Sequence, residues 1–230
     1  TNRLKNIFSR YQDNENKTGI LFRNDSKEEE TKIRMKVTNY LKAIKISYGF
    51  NFQYSEYQNN TEDLISGFQY NTAINFLKYG LFTKVSGSLL NERATIALGI
   101  RSDADNFTNN SNIFNNFSPR LSGSYALDSN RRWKLNASLG RYYKIPTYTM
   151  LGFQDKNGKF VNKLNRYTQS DHYVFGFEYN SSNSARFTIE AFKKVYSQYP
   201  VSVIDGVSLA NKGADFEVFG NEAVIDSGGG

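Results

Sequence analysis

The sequence predicts an all-β protein: an antiparallel meander of long strands forming part of a transmembrane β-barrel wall. Three observations predict it. Large apolar or aromatic residues alternate with polar ones over runs of up to about eleven residues, longer than most soluble strands and long enough for a tilted spanning strand. Short polar connections alternate with long ones, the layout of an outer-membrane barrel with periplasmic turns and extracellular loops. Aromatic residues make up 15% of the 230-residue chain, with 16 Tyr and 18 Phe against one Trp; such residues favour strands, and Tyr suits a membrane interface.

The elements follow in order. Thr31 to Thr38 alternates, with Ile33, Met35 and Val37 against Lys32, Arg34 and Lys36. From Ile44 to Tyr54 every even position is large and apolar or aromatic, and every odd one is polar or glycine. Asn75 to Leu89 reads as a less regular strand. Ala94, Ile96, Leu98 and Ile100 make one face of the next. Leu121, Gly123, Tyr125 and Leu127 make the one after it, and Trp133, Leu135, Ala137 and Leu139 its successor. Tyr173, Phe175, Phe177 and Tyr179, then Phe187, Ile189 and Ala191, complete the series. Short connections are expected at Asn39 to Lys42, Asn91 to Arg93, Asp128 to Arg132 and Asn180 to Ser184. Long ones are expected at Glu56 to Asn71, Asp103 to Asn116, Ile145 to Arg166, and from Pro200 onward. Before Glu30, Tyr11 to Lys17 and Asn24 to Glu29 read as loops.

This pattern points Ile44, Ile46, Tyr48, Phe50, Phe52, Ile96, Leu98, Leu135, Tyr173, Phe175 and Phe177 toward lipid. It points Lys45, Asn51, Arg120, Asn136 and Glu178 into the lumen. Trp133 and Tyr179 fall near strand ends, where an aromatic girdle belongs.

Composition narrows the function. No run approaches the roughly 18 to 20 apolar residues of a membrane helix, and mean hydropathy is -0.60. A barrel strand shows lipid only every second side chain, so low hydropathy leaves the membrane open. There is no cysteine, hence no disulfide framework or thiolate site. The net charge of +7 is spread along the chain without a basic block, so no nucleic-acid partner is expected. The start lacks an apolar leader segment and the Gly-rich end reads as a turn or linker, so neither looks like a natural terminus.

Few residues offer chemistry. His172 is the single histidine; no acid-and-nucleophile arrangement surrounds it in sequence, and it reads as a strand-start residue facing lumen or rim. Asp103-Ala104-Asp105-Asn106 opens like a calcium loop, but Thr108 and Phe114 stand where Gly and Glu are needed, so an Asx-rich loop is the better reading. No catalytic residue, metal site or cofactor is expected, and the chain does not read as an enzyme. The segment from Tyr148 to Tyr167 is the candidate ligand-contacting loop: Tyr148, Phe153, Phe160 and Tyr167 lie among Lys156, Lys159, Lys163 and Arg166. Aromatics with cations suit an anionic, partly apolar ligand, or lipopolysaccharide phosphates. A soluble β-sheet surface-binding or adhesion protein is the alternative, followed by a barrel enzyme.

The ordered runs Leu98 to Asp103, Asn116 to Ser122 and Trp133 to Pro146 resemble the barrel of TonB-dependent outer-membrane receptors, the Bacteroidetes members above all. Tyr196 to Asn221, with Pro200-Val201-Ser202-Val203 and Asn211-Lys212-Gly213, fits the same picture. The resemblance implies a barrel of about 22 strands closed by an N-terminal plug. Such a receptor binds scarce nutrients, often iron chelates (siderophores), cobalamin or glycans, and is driven through TonB acting on the plug. Roughly eight or nine strands are readable here, far fewer than such a barrel has. Residues 1–230 are therefore expected to be one partial barrel domain, an internal stretch without plug or closing strand. Its expected partners are outer-membrane lipid, lipopolysaccharide, the rest of the receptor, TonB through the plug, and a small-molecule ligand.

Overall fold

The computed structural model describes residues 1–65, 67–155, 157–181, 184–211 and 222–226. Nine strands form one sheet: β1 Asn2–Asp13, β2 Thr18–Leu41, β3 Ile44–Asp63, β4 Phe68–Leu89, β5 Ala94–Asp105, β6 Phe117–Ala126, β7 Trp133–Lys144, β8 Thr168–Asn180 and β9 Arg186–Ser197. Each pairs with the next in chain order, always antiparallel. A small second hairpin joins β10 (Pro200–Ser202) to β11 (Val224–Asp226). In the meander the ladders pair the backbone groups of neighbouring strands, so the side chains are free to differ between the two faces.

The registers put Ile44, Ile46, Tyr48, Phe50, Phe52, Ile96, Leu98, Leu135, Tyr173, Phe175 and Phe177 on one face. Lys45, Asn51, Arg120, Asn136 and Glu178 share the other. The first face is apolar and open: Phe50, Leu98 and Phe175 are 41%, 58% and 55% exposed, so no layer among the described residues covers it. Near the short-turn end of that face Trp133 lies 4.1 Å from Tyr179 and 5.2 Å from Phe177, ring centre to ring centre.

Two expected loops are strand instead. Residues 24–29 pair with β1 along their whole length, and the β1–β2 turn is confined to residues 14–17. Residues 56–63 pair with residues 68–75, leaving only 64–67 as a turn. The reason is shared. A strand that has left the apolar band needs no greasy face, because the ladder satisfies its backbone whatever the side chains are. Asn, Gln and Thr in such a stretch imitate a loop.

The pattern does not vanish there; it inverts. On β3 the apolar residues occupy even positions up to Tyr54, and then Tyr57 faces the other way. On β4 they occupy odd positions from Leu89 back to Leu77, and then Phe76, Ile74 and Tyr70 take the opposite face. No register shift separates the two halves. Along the hydrogen-bonded rows, Ile44 at the start of β3 leads through Gly87, Ile96, Gly123 and Ala137 to Phe175, well inside β8. The rows therefore climb relative to the turns, the stagger that tilted strands require.

Glycine allows close approach at two points, and at the first a Cβ on Gly49 would sit 2.0 Å from the Met35 carbonyl oxygen. A Cβ on Gly80 would sit 2.2 Å from Asp103 Oδ1. Its absence makes room on the polar face for Arg101, which donates to Asp103 at 2.5 and 2.7 Å and to Asn51 at 3.1 Å.

Candidate functional site

The inverted half of β3 and β4 offers Tyr57, Ile74 and Phe76 on the polar face, and the β7–β8 connection covers them. That connection leaves the sheet at Ile145-Pro146, where proline cannot donate to a ladder. It forms one helical turn, α1 (Tyr148–Leu151), folds back through a bridge between Gln154 and Phe160, makes a 3-10 turn at Val161–Leu164, and returns at Thr168. Tyr148 and Leu151 bury themselves with Tyr57, Ile74 and Phe76, and Ile145, Phe107 and Phe160 pack at the margin. Phe76 meets Tyr148 edge-on at 5.2 Å, and Phe107 meets Phe160 at 5.4 Å. Burying rings of this size is the main favourable term holding the loop.

Hydrogen bonds fix its orientation. The Gly152 carbonyl accepts from the hydroxyls of Tyr70 at 2.5 Å and Thr72 at 2.6 Å. The Tyr148 hydroxyl donates to Glu30 at 2.5 Å, and Lys78 bonds both that hydroxyl and, at 3.0 Å, Glu30. Burial, and then the Glu30 carboxylate, hold the Tyr148 phenol well above its ordinary range, so it acts only as a neutral donor. Tyr167 is likewise raised by burial and by Asp105.

Asn side chains tie three connections together. Asn162 donates to the carbonyls of Met150 and Glu222, both at 2.8 Å, and accepts from the Val224 amide at 2.9 Å. Asn165 donates to the Val224 carbonyl at 3.0 Å. Asp105 accepts from the Phe107 and Thr108 amides and from the hydroxyls of Thr108 and Tyr167. The acidic loop opening at residues 103–106 thus spends a carboxylate on its own turn. Among the described residues no three His, Asp or Glu side chains come together as a metal site.

Of the candidate ligand-contacting residues, Tyr148 and Tyr167 are only 7% and 3% exposed. Their hydroxyls are already bonded inside the protein, so they hold the loop instead of facing outward. Phe153 leans on Tyr70 at 5.9 Å and is half-buried, as is Phe160. Lys159 and Arg166 are exposed. Lys156 lies outside the described residues. Lys163 places its ammonium 4.4 Å from the centre of the Phe107 ring.

A cavity of about 360 Å³ opens on the polar face where this loop meets β7, β8 and β9; Tyr142, Lys144, Ser170, His172, Tyr196 and Tyr199 help to line it. His172 Nε2 is 2.8 Å from the Ser170 hydroxyl, and its ring lies 4.5 Å from that of Tyr142. The Arg120 guanidinium caps Tyr142 at 4.2 Å. The cavity offers stacking surfaces, hydroxyls and the cationic Lys144, a set that suits an anionic group carrying flat apolar parts. Sequence reasoning placed His172 at a rim or lumen but did not find the cavity. The available signal was polar-face parity: Tyr142 and Lys144 on one strand, Ser170 and His172 on its neighbour.

Comparison with known proteins follows the same lines. The family model of the TonB dependent receptor-like β-barrel matches residues 2–227. Similar solved structures include the copper transporter OprC, with 14% identity and a TM-score of 0.61, covering 90% of this chain and 37% of that one. A variant of the ferric enterobactin receptor PfeA of Pseudomonas aeruginosa, in complex with enterobactin, has 18% identity and a TM-score of 0.55, over 90% and 32%. The outer membrane transporter YddB of Escherichia coli has 13% identity and a TM-score of 0.54, over 80% and 27%. What they share with this chain at such identities is the fold, and the chain spans about a third of their length. No curated protein matches the sequence.

Proposed function

Because the chain belongs to the TonB-dependent receptor-like β-barrel family, we propose that it supplies wall and loops to a receptor for active, TonB-driven uptake of a nutrient, an iron chelate (siderophore) being the ligand class its cavity suits. The family places it in the bacterial outer membrane. The observation that carries the reading is the division of one nine-stranded sheet into an open apolar face and a polar face, with loops from the long-connection end folded onto the latter.

In this reading the apolar face, with Ile44, Phe50, Leu98, Leu135 and Phe175, meets acyl chains. The polar face, with Lys45, Asn51, Arg120, Asn136 and Glu178, lines the lumen. Phe153, Lys159, Phe160 and Arg166 on the loop, with Tyr142, Lys144 and His172 in the cavity, contact the ligand. Tyr rings stack on flat chelating groups, Lys144 answers their negative charge, and the His172 ring offers a hydrogen bond. The names of the similar structures, a copper transporter and a ferric enterobactin receptor, support a metal or metal-chelate cargo. TonB acts through the plug carried by the rest of the receptor, and the chain's own part is binding and passage, with no bond-making step.

The test replaces Tyr142 by Ala and Lys144 by Gln in the whole receptor, and measures Kd for a panel of ferric siderophores by fluorescence quenching. A loss of about tenfold or more for one chelate class is expected, near 1.4 kcal/mol. Unchanged affinity for every chelate that binds would place recognition elsewhere.

A further inference from the structure

The apolar face carries three charged side chains in its band, and they are neighbours. From Thr31 to Leu41, Ile44 to Tyr54, Leu77 to Leu89, Ala94 to Ala104 and Phe117 to Tyr125, every residue pointing to that face is uncharged. The exceptions are Arg141 on β7, Asp171 on β8 and Lys193 on β9. Arg141 pairs across the ladder with Asp171, and Lys193 sits opposite Tyr173, one diagonal from Asp171. All three lie toward the long-loop end of their strands.

Arg141 grips Asp171 with two donors, Nε to Oδ1 at 2.8 Å and a terminal nitrogen to Oδ2 at 3.0 Å. A guanidinium has five N–H donors in one plane, so this grip leaves part of the fork open. With Lys193 counted, the cluster carries one net positive charge. Directly beside the pair runs a groove of roughly 780 Å³, lined by Val85, Leu98, Pro119, Leu121, Leu139 and Tyr173. A charge on a face of this kind is costly near the middle of the hydrocarbon and cheap at its boundary. The cluster therefore marks a boundary, and its surplus positive charge sits at the head of an apolar furrow.

We propose that this is a binding site for a phosphorylated acyl lipid of the outer leaflet: a phosphate on Arg141 and Lys193, with an acyl chain along the groove. The two-point grip of Asp171 fixes the guanidinium plane and leaves the remaining donors of Arg141 for a phosphate. The site is on the opposite side of the wall from the ligand cavity. It rests on the reading that the apolar face meets lipid.

The experiment uses the whole receptor carrying this chain in phosphatidylcholine nanodiscs, with lipid A as the probe and its dephosphorylated form as control. Bound lipid is counted by native mass spectrometry for the wild type, for Arg141→Gln with Asp171→Asn, and for Lys193→Gln. The paired substitution removes the grip without stranding a carboxylate. The expected result is retention of phosphorylated lipid by the wild type only, with about a tenfold drop in both variants. Equal retention of both lipids by all three proteins overturns the site. A bimane label on Phe175→Cys, quenched by brominated acyl chains, tests the underlying reading separately. Quenching without selective retention sinks the phosphate site alone, whereas no quenching sinks the lipid-facing assignment and the site with it.

Discussion

Strands β2, β3 and β4 run for 24, 20 and 22 residues, whereas β5 to β9 run for 10 to 13. Both groups meet the same difficulty at the long-loop end, where the apolar band stops and backbone groups still need partners. The long strands simply continue their ladder, with Glu56, Gln58 and Asn60 replacing aromatics on the open face. The short strands stop, and their chain must find other partners: Asn162, Asn165 and Asp105 supply them by side chain. The two solutions depend on each other. The extended strands turn Tyr57, Ile74 and Phe76 toward the polar face, and the loop between β7 and β8 lays Tyr148 and Leu151 on them. One half of the sheet is the platform, and the other provides what stands on it.

Removing the platform should have the largest effect. Phe76→Ala is expected to cost about 3–5 kcal/mol of loop docking, seen as faster protease cleavage near the exposed Gly158 while the sheet stays folded in detergent. An unchanged cleavage rate would mean that the loop is held by something else. Next comes a contrast across the inversion. Phe175→Arg should cost roughly 2 to 4 kcal/mol in urea titrations of vesicle-folded receptor, while Gln58→Arg should stay within about 0.5 kcal/mol. Equal costs would erase the inversion as the edge of the lipid band.

Smaller effects sharpen the same comparison. Tyr148→Phe keeps the ring and deletes the donor to Glu30, which retains Lys78, so about 1 kcal/mol is expected. A loss as large as that of Phe76→Ala would show the polar latch outweighing the rings. Thr72→Val removes one of two donors to the Gly152 carbonyl; Tyr70 remains, and a loss of about 0.5–1 kcal/mol should appear in the same proteolysis assay.

The short strands were the legible part of the sequence. In β5, β7 and β8 one face is mainly greasy and the other mainly polar, with Arg141 and Asp171 the charged exceptions, so parity assigns the faces, and the sites of all four short turns follow. The long strands were legible only to Tyr54 and Leu77. Beyond those residues the open face loses its greasy side chains, and the new apolar set falls on the opposite parity. A reader following one parity meets apparent disorder, which is why residues 56–71 looked like a loop. Tyr57, Ile74 and Phe76 carried the missing signal. The cavity was harder, since Tyr142, Ser170, His172 and Tyr196 come from three strands whose registers no local pattern states. The burial of Tyr148 and Tyr167 was equally hidden: an aromatic in a charged loop looks the same in sequence whether it greets a ligand or anchors the loop.

The climbing rows bear on how such walls can be rearranged. Because Ile44 at the foot of β3 is level along its row with Phe175 in the middle of β8, the two borders of this segment stand at different heights. A stretch grafted from another receptor would have to bring the same offset, or its girdle and turns would miss their neighbours by several residues. Matching loops and hydrophobicity would not rescue it. The unit of exchange in such a barrel is thus a helical ramp of fixed pitch, and exchanges between receptors should succeed in blocks that preserve that pitch and fail in blocks that do not.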